Sequence, residues 1–135
     1  MPTMTDIIRS GSMGIRVRYV DCDSMGVVHH SVYPVWLEMG RTELLRETGT
    51  TYREIEDAGV LLAVIELNVR YKRPAHYDDL LEVTTEWIDA GRVKIRHLYT
   101  IKRDDEVLAT AETTLACIDR DGRPQPLPEQ LQSSS

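Results

Sequence analysis

The chain has 135 residues, a length that fits one domain with one real core and leaves no room for a second. A formal net charge of −6, with no apolar run near the roughly 20 residues that span a bilayer, argues against a general nucleic-acid binder and against a membrane span. Cys22 and Cys117 form neither a disulfide framework nor a zinc spacing, and the amino terminus lacks a secretory layout, so a soluble cytoplasmic protein with reduced thiols is expected.

Residues 14–19 set Ile15, Val17 and Tyr19 against Arg16 and Arg18, the period of a half-buried strand. An extended segment follows through Asp21, Cys22 and Asp23 to a turn at Gly26. Ser31 or a near neighbour then caps a helix with Pro34 in its first turn, where a missing N–H costs nothing. The helix is expected over 32–47 with a stop at Gly49. Its apolar residues Val32, Val35, Trp36, Leu37, Met39, Leu44 and Leu45 fill more than one narrow stripe, and Gly40 permits a close backbone approach, so it reads as largely wrapped. A short helical turn over 51–58 closes at Gly59.

From Leu61 onward the chain reads as strands. Ile65, Leu67, Val69 and Tyr71 form one apolar face, Leu81, Val83, Thr85 and Trp87 a second, and Val93, Ile95, His97, Tyr99 and Ile101 a third. Turns at 89–91, 104–105 and 119–122 separate these runs and bound a last strand over 107–118. The tail from about residue 123, with Pro124, Pro126, Pro128 and a terminal serine run, is expected to be loose. Strands with an apolar face need a cover, and the helix over 32–47 is the one sizeable candidate. The expected class is α+β, with a curved antiparallel sheet of about five strands wrapped around one long central helix.

The stretch D-C-D-S-M-G-V-V-H-H-S-V-Y-P, residues 21–34, carries the chemistry. His29 and His30 are adjacent and so diverge on a strand or a helix, and no facing histidine pair exists, which speaks against a metal. Two flanking aspartates would raise the pKa of Cys22, and Ser24 and Ser31 lack a base with its orienting group. What remains is a carboxylate beside a helix start, where unpaired N–H groups and the positive dipole end suit a carbonyl under attack. Asp23, next to the turn, is the better of the two aspartates for a base or nucleophile, with the N–H of His30 or its neighbour as oxyanion donor. The competing structural reading has Asp23 cap a turn and Gly26 supply a positive φ.

Two basic windows stand out in an acidic chain. One is Arg70, Lys72 and Arg73; the other runs over 91–103 with Arg92, Lys94, Arg96, Lys102 and Arg103 and no acidic residue. Either could hold a small polyanion or lie solvated on strand faces.

Residues 17–49, V-R-Y-V-D-C-D-S-M-G-V-V-H-H-S-V-Y-P-V-W-L-E-M-G-R-T-E-L-L-R-E-T-G, resemble the hotdog-fold acyl-CoA thioesterases of the 4-hydroxybenzoyl-CoA thioesterase type, and particularly the Tol–Pal-associated subgroup. Residues 71–83, Y-K-R-P-A-H-Y-D-D-L-L-E-V, resemble that family's second common segment. The resemblance implies a hotdog fold and a thioester hydrolase acting on a small acyl- or aroyl-CoA. It implies Asp23 as the catalytic carboxylate, His30 as the residue whose backbone N–H polarises the thioester carbonyl, Tyr19 as an active-site tyrosine and Gly26 as the loop glycine. Coenzyme A enters as part of the substrate, with no separate cofactor and no metal, and its phosphates fall to Arg70, Lys72, Arg73 or Arg92. Members assemble as homodimers or homotetramers with sites between subunits. Met25-Gly26 and His29 stand where the subgroup commonly has paired glycines and a tyrosine, so acyl preference does not carry over.

Two other readings are weighed beside it. A hydratase or dehydratase on the same fold would pair a histidine with a carboxylate for proton transfer. A non-catalytic acyl-CoA-binding module would hold the substrate without turnover.

Overall fold

The computed structural model describes residues 7–131. Strand β1 (Ile7–Arg16) is followed by a 3-10 turn at Tyr19–Asp21 and another at His30–Val32, which leads into α1 (Tyr33–Arg46) and α2 (Tyr52–Asp57). Strands β2 (Leu61–Tyr71), β3 (Leu80–Asp89), β4 (Lys94–Arg103) and β5 (Glu106–Ile118) complete one antiparallel sheet in the order β1-β3-β4-β5-β2. This is the expected α+β arrangement of five strands and one main helix.

The first strand lies further toward the amino terminus than its alternation suggests. It pairs with β3 from Ile7↔Ile88 to Arg16↔Leu80 and ends before Tyr19. The extended reading is likewise corrected over 19–21, because the Asp21 carboxylate accepts the Arg18 N–H at 2.8 Å and folds the chain into a turn, whereas Cys22 is extended as expected. A side chain that competes locally for backbone donors outweighs strand periodicity here.

Helix α1 packs over β1 and β3 and buries Tyr33, Trp36, Leu37, Gly40, Arg41, Leu44 and Leu45. That spacing is a single face of an α-helix, so the wrapped reading is corrected: Val35 and Met39, one turn apart, are exposed. Trp36 and Trp87 are both core residues. Pro34 sits in the first turn as expected, and Thr51 caps α2 by accepting the Glu54 N–H.

Beneath the helix the core divides in two. Leu37, Val83, Tyr99 and Ile101 belong to one cluster; Leu44, Trp87, Ile95 and Leu115 belong to the other. Between them runs a polar seam, with Thr85 paired opposite Tyr99 in one row and His97 opposite Trp87 and Thr113 in the next. Gly40 meets this seam so closely that a Cβ built on it would stand 2.5 Å from Thr85 Oγ1.

Strand β2 departs from its expected half-buried pattern. A register shift between Val64 and Glu66 takes Ile65 out of the expected alternating face, and Ile65, Leu67 and Tyr71 are exposed, because β2 lies at the sheet edge beyond β5 and α1 covers the opposite edge. The tail also differs: up to Leu131 it is tied down by Gln125 N–H to Cys117 O and Leu127 N–H to Arg92 O, and Leu127 and Leu131 are buried in the second cluster. Two leucines among the prolines supply the apolar anchor. The serine run at 133–135 lies outside the described residues.

Candidate active site at the start of the central helix

Residues 21–29 form a tight hairpin. The Asp23 N–H donates to Val27 O at 2.9 Å, His29 N–H donates to Asp21 O at 2.9 Å, and Cys22 bridges Val28 between them. Gly26, with φ of 82°, closes the turn in a conformation that a side chain rarely adopts.

The two aspartates are held very differently. Asp21 is buried and bound to Arg18 through backbone N–H and guanidinium. Burial pushes its carboxyl up, but the Arg18 bonds outweigh this and hold it below the usual carboxylate range. Asp23 is half-buried at the tip of the hairpin. Its Oδ1 accepts the Met25 N–H at 2.8 Å, and among the described residues Oδ2 has no partner. So Asp23 does cap a turn, and it keeps one oxygen for other work.

The helix entrance has a matching vacancy. Ser31 N–H donates to His29 Nδ1 at 3.2 Å and Val32 N–H to His29 O at 3.0 Å. Among the described residues no acceptor takes the His30 N–H. The first N–H groups of a helix have no partner within it, so an exposed one left open at a helix start can receive an incoming oxygen. The His29 and His30 rings stack 4.2 Å apart on the exposed side.

The segment 71–79, far away in sequence, holds this loop from below. Val28 N–H donates to Ala75 O at 2.9 Å, Val27 bridges His76, and Tyr71 donates its hydroxyl to His30 O at 2.9 Å. The Tyr77 ring meets the exposed Tyr19 ring edge-on at 5.6 Å. Arg103 ties the segment to the sheet by ion pairs to Asp79 and Glu106. The two stretches that carry the family resemblance are thus one physical unit. Tyr71 and Tyr77 had no signal of their own in the sequence, since a tyrosine on a strand face or in a turn is indistinguishable there from a packing residue.

The basic residues are distributed unevenly around this site. Arg70, Lys72 and Arg73 lie at the loop end of β2, although Arg70 alternates to the face opposite Tyr71, and Arg73 is paired with Glu106 at 3.2 Å. Arg92 sits beyond the far end of β3, roughly 30 Å away along a ten-residue strand at ~3.3 Å per residue, so one chain does not bring it to the loop. In the other basic window Arg96 is spent on Glu112, at 2.6 Å. Cys117 is buried, which raises its thiol pKa, and both cysteines are free. Among the described residues no group of three or more His, Cys, Asp or Glu is arranged to hold a metal ion, and no helix is long and apolar enough to cross a membrane.

Comparison with known proteins bears on the family and the fold. Residues 17–134 match the Thioesterase-like superfamily. The chain is 34% identical over 109 residues to the acyl-CoA thioesterase YbgC of Haemophilus influenzae, covering 80% of each. It is 31% identical over 119 residues to the acyl-CoA thioester hydrolase YbgC of Escherichia coli O157:H7, covering 87% of this chain and 89% of that one. The structure of a DHNA-CoA thioesterase from Staphylococcus aureus superposes with a TM-score of 0.84 at 31% identity, over 87% of this chain and 80% of that chain. The 4-hydroxybenzoyl-CoA thioesterase of Pseudomonas sp. strain CBS-3 shares the fold, with a TM-score of 0.81 at 22% identity, over 89% of this chain and 94% of that chain. The chain belongs to the thioesterase-like hotdog superfamily.

Proposed function

We propose that this protein is an acyl-CoA thioesterase that hydrolyses a small acyl- or aroyl-CoA to the free acid and coenzyme A. The observation that carries the reading is the unclaimed His30 N–H at a helix entrance, directly after the hairpin that carries a carboxylate with one free oxygen, in a chain of this family.

In the general-base form, Asp23 takes a proton from water as the water oxygen bonds to the thioester carbon. The carbonyl oxygen becomes an oxyanion held by the His30 N–H and the helix dipole, the C–S bond breaks, and the thiolate leaves and is protonated. In the nucleophilic form, Asp23 attacks first and water then hydrolyses the mixed anhydride. One oxyanion donor contributes about 10²–10³ and one positioned acid or base about 10²–10⁴. Their product, roughly 10⁴–10⁷ or about 5–10 kcal/mol of barrier, is enough for an activated thioester. The Tyr19 and His30 side chains border the substrate, and Arg70, Lys72 and Arg73 are the candidates for the coenzyme A phosphates.

The reading includes a homodimer or homotetramer. An open β2 edge with Ile65 and Leu67 bare, and the stripe of Val35 and Met39 on α1, are apolar surfaces that a second copy would cover. A partner would also supply Arg92 where one chain cannot. The enzyme needs no cofactor of its own and acts in the cytoplasm.

The test is free-thiol release from a panel of short-chain, long-chain and aromatic acyl-CoAs, with the acid product identified. Stoichiometric acid and thiol from at least one substrate is the expected result. Interconversion of enoyl- and 3-hydroxyacyl-CoA without free thiol, or tight binding without turnover, would overturn it.

A further inference from the structure

The two peptide units that flank His30 are fixed at nearly every polar group. In the unit between His29 and His30, the carbonyl oxygen accepts the Val32 N–H at 3.0 Å and the N–H is the open donor. In the unit between His30 and Ser31, the N–H is held by His29 Nδ1 at 3.2 Å and the carbonyl oxygen by the Tyr71 hydroxyl at 2.9 Å. The first two ties are local to residues 29–32. The third comes from the end of β2, 41 residues away in sequence.

Tyr71 is itself well anchored. Its ring packs edge-on against Tyr33, with centroids 4.9 Å apart at 89°, and Tyr33 is a buried residue of the first turn of α1. The chain just after it is fastened to β5, since the N–H groups of Lys72 and Arg73 both donate to Leu108 O. The hydroxyl therefore reaches the helix entrance from the rigid sheet, and a short exposed 3-10 turn gains a reference point that its own residues do not supply.

We propose that Tyr71 is a positioning residue: its hydroxyl, donated to the His30 carbonyl oxygen, locks the turn so that the adjacent His30 N–H keeps its aim at the reacting carbonyl. The inference rests on the reading of the His30 N–H as oxyanion donor. A donor misaimed by about 1 Å can lose up to 10²-fold in rate, whereas the His30 carbonyl is exposed and can turn to water, so fold stability changes little.

The experiment is Tyr71→Phe, which keeps the ring against Tyr33 and removes only the hydroxyl. With an acyl-CoA that the native protein hydrolyses, kcat is expected to fall about 10-fold with KM within twofold and an unchanged denaturation midpoint. The backbone order parameter of the His30 amide, measured by NMR, should fall from the rigid value of about 0.85. An active native protein with an undiminished kcat in Tyr71→Phe, or an unchanged His30 order parameter, would overturn the role of Tyr71 and leave the thioesterase reading intact. A native protein inactive on every acyl-CoA would overturn the thioesterase reading, and this inference with it.

Discussion

Acidification should weaken the native fold through one buried histidine. His97 lies on the concave face of the sheet under α1, only 4% exposed, and its Nδ1 has no hydrogen-bond partner. Arg41 from α1 and Tyr99 from β4 face the same seam, and Tyr52 from α2 lines the small cavity beside it. Burial, helped by the Arg41 charge, lowers the His97 pKa to about 3. In the unfolded chain a histidine titrates near ~6.5. Between these values the unfolded state binds a proton that the folded state does not, so stability falls as pH falls through the window from about 6.5 to about 3. At pH 4.5, about two units below the unfolded pKa, the loss is roughly 3 kcal/mol. Against a typical total of about 5–15 kcal/mol this is readily measured. Urea unfolding of the native protein and His97→Leu at pH 7.0, 6.0, 5.0 and 4.5 isolates the effect, because carboxylate contributions are common to both. The difference in unfolding free energy between the two should shift by about 3 kcal/mol from neutral pH to 4.5 in favour of the variant. Parallel curves across the range would refute the reasoning.

Other consequences of the structure are equally direct. Gly40→Ala places a methyl group against Thr85 Oγ1 and Val83 Cγ1 and should cost about 1–3 kcal/mol in urea unfolding; because Thr85 Oγ1 makes no hydrogen bond, adding Thr85→Ala should recover much of that loss. Thr51→Ala removes the cap of α2 and should cost about 1 kcal/mol by the same measurement. Leu67→Lys places a charge on the exposed apolar face of β2 and should shift the sedimentation profile toward the single chain; an unchanged profile would show that β2 is not the contact.

Periodicity revealed the elements whose environment lies within the chain. Leu81, Val83, Thr85 and Trp87 on β3, and Ile95, His97, Tyr99 and Ile101 on β4, alternate in sequence and are buried as their alternation implies. Leu67 and Tyr71 alternate just as clearly and are exposed, because periodicity reports which residues share a face and not whether anything covers it, and the register shift at Ile65 left no mark in the pattern. The strand misjudged at Tyr19 failed for a local reason, the capture of the Arg18 N–H by Asp21. At the site, the turn at Gly26 beside Asp23 was legible in the sequence. The roles of Tyr71, Ala75 and Arg103 were not, because each acts through a contact with a residue distant in sequence, for which a single chain carries no local mark.

The central claim is that the free oxygen of Asp23 and the open N–H of His30 act together on a thioester. Its most direct test is kcat/KM for the native protein and Asp23→Asn, side by side, on the best acyl-CoA. The asparagine can still accept the Met25 N–H and hold the turn, so the loss should fall on chemistry, with a drop of at least roughly 10²-fold. Equal kcat/KM for the two proteins would contradict the account.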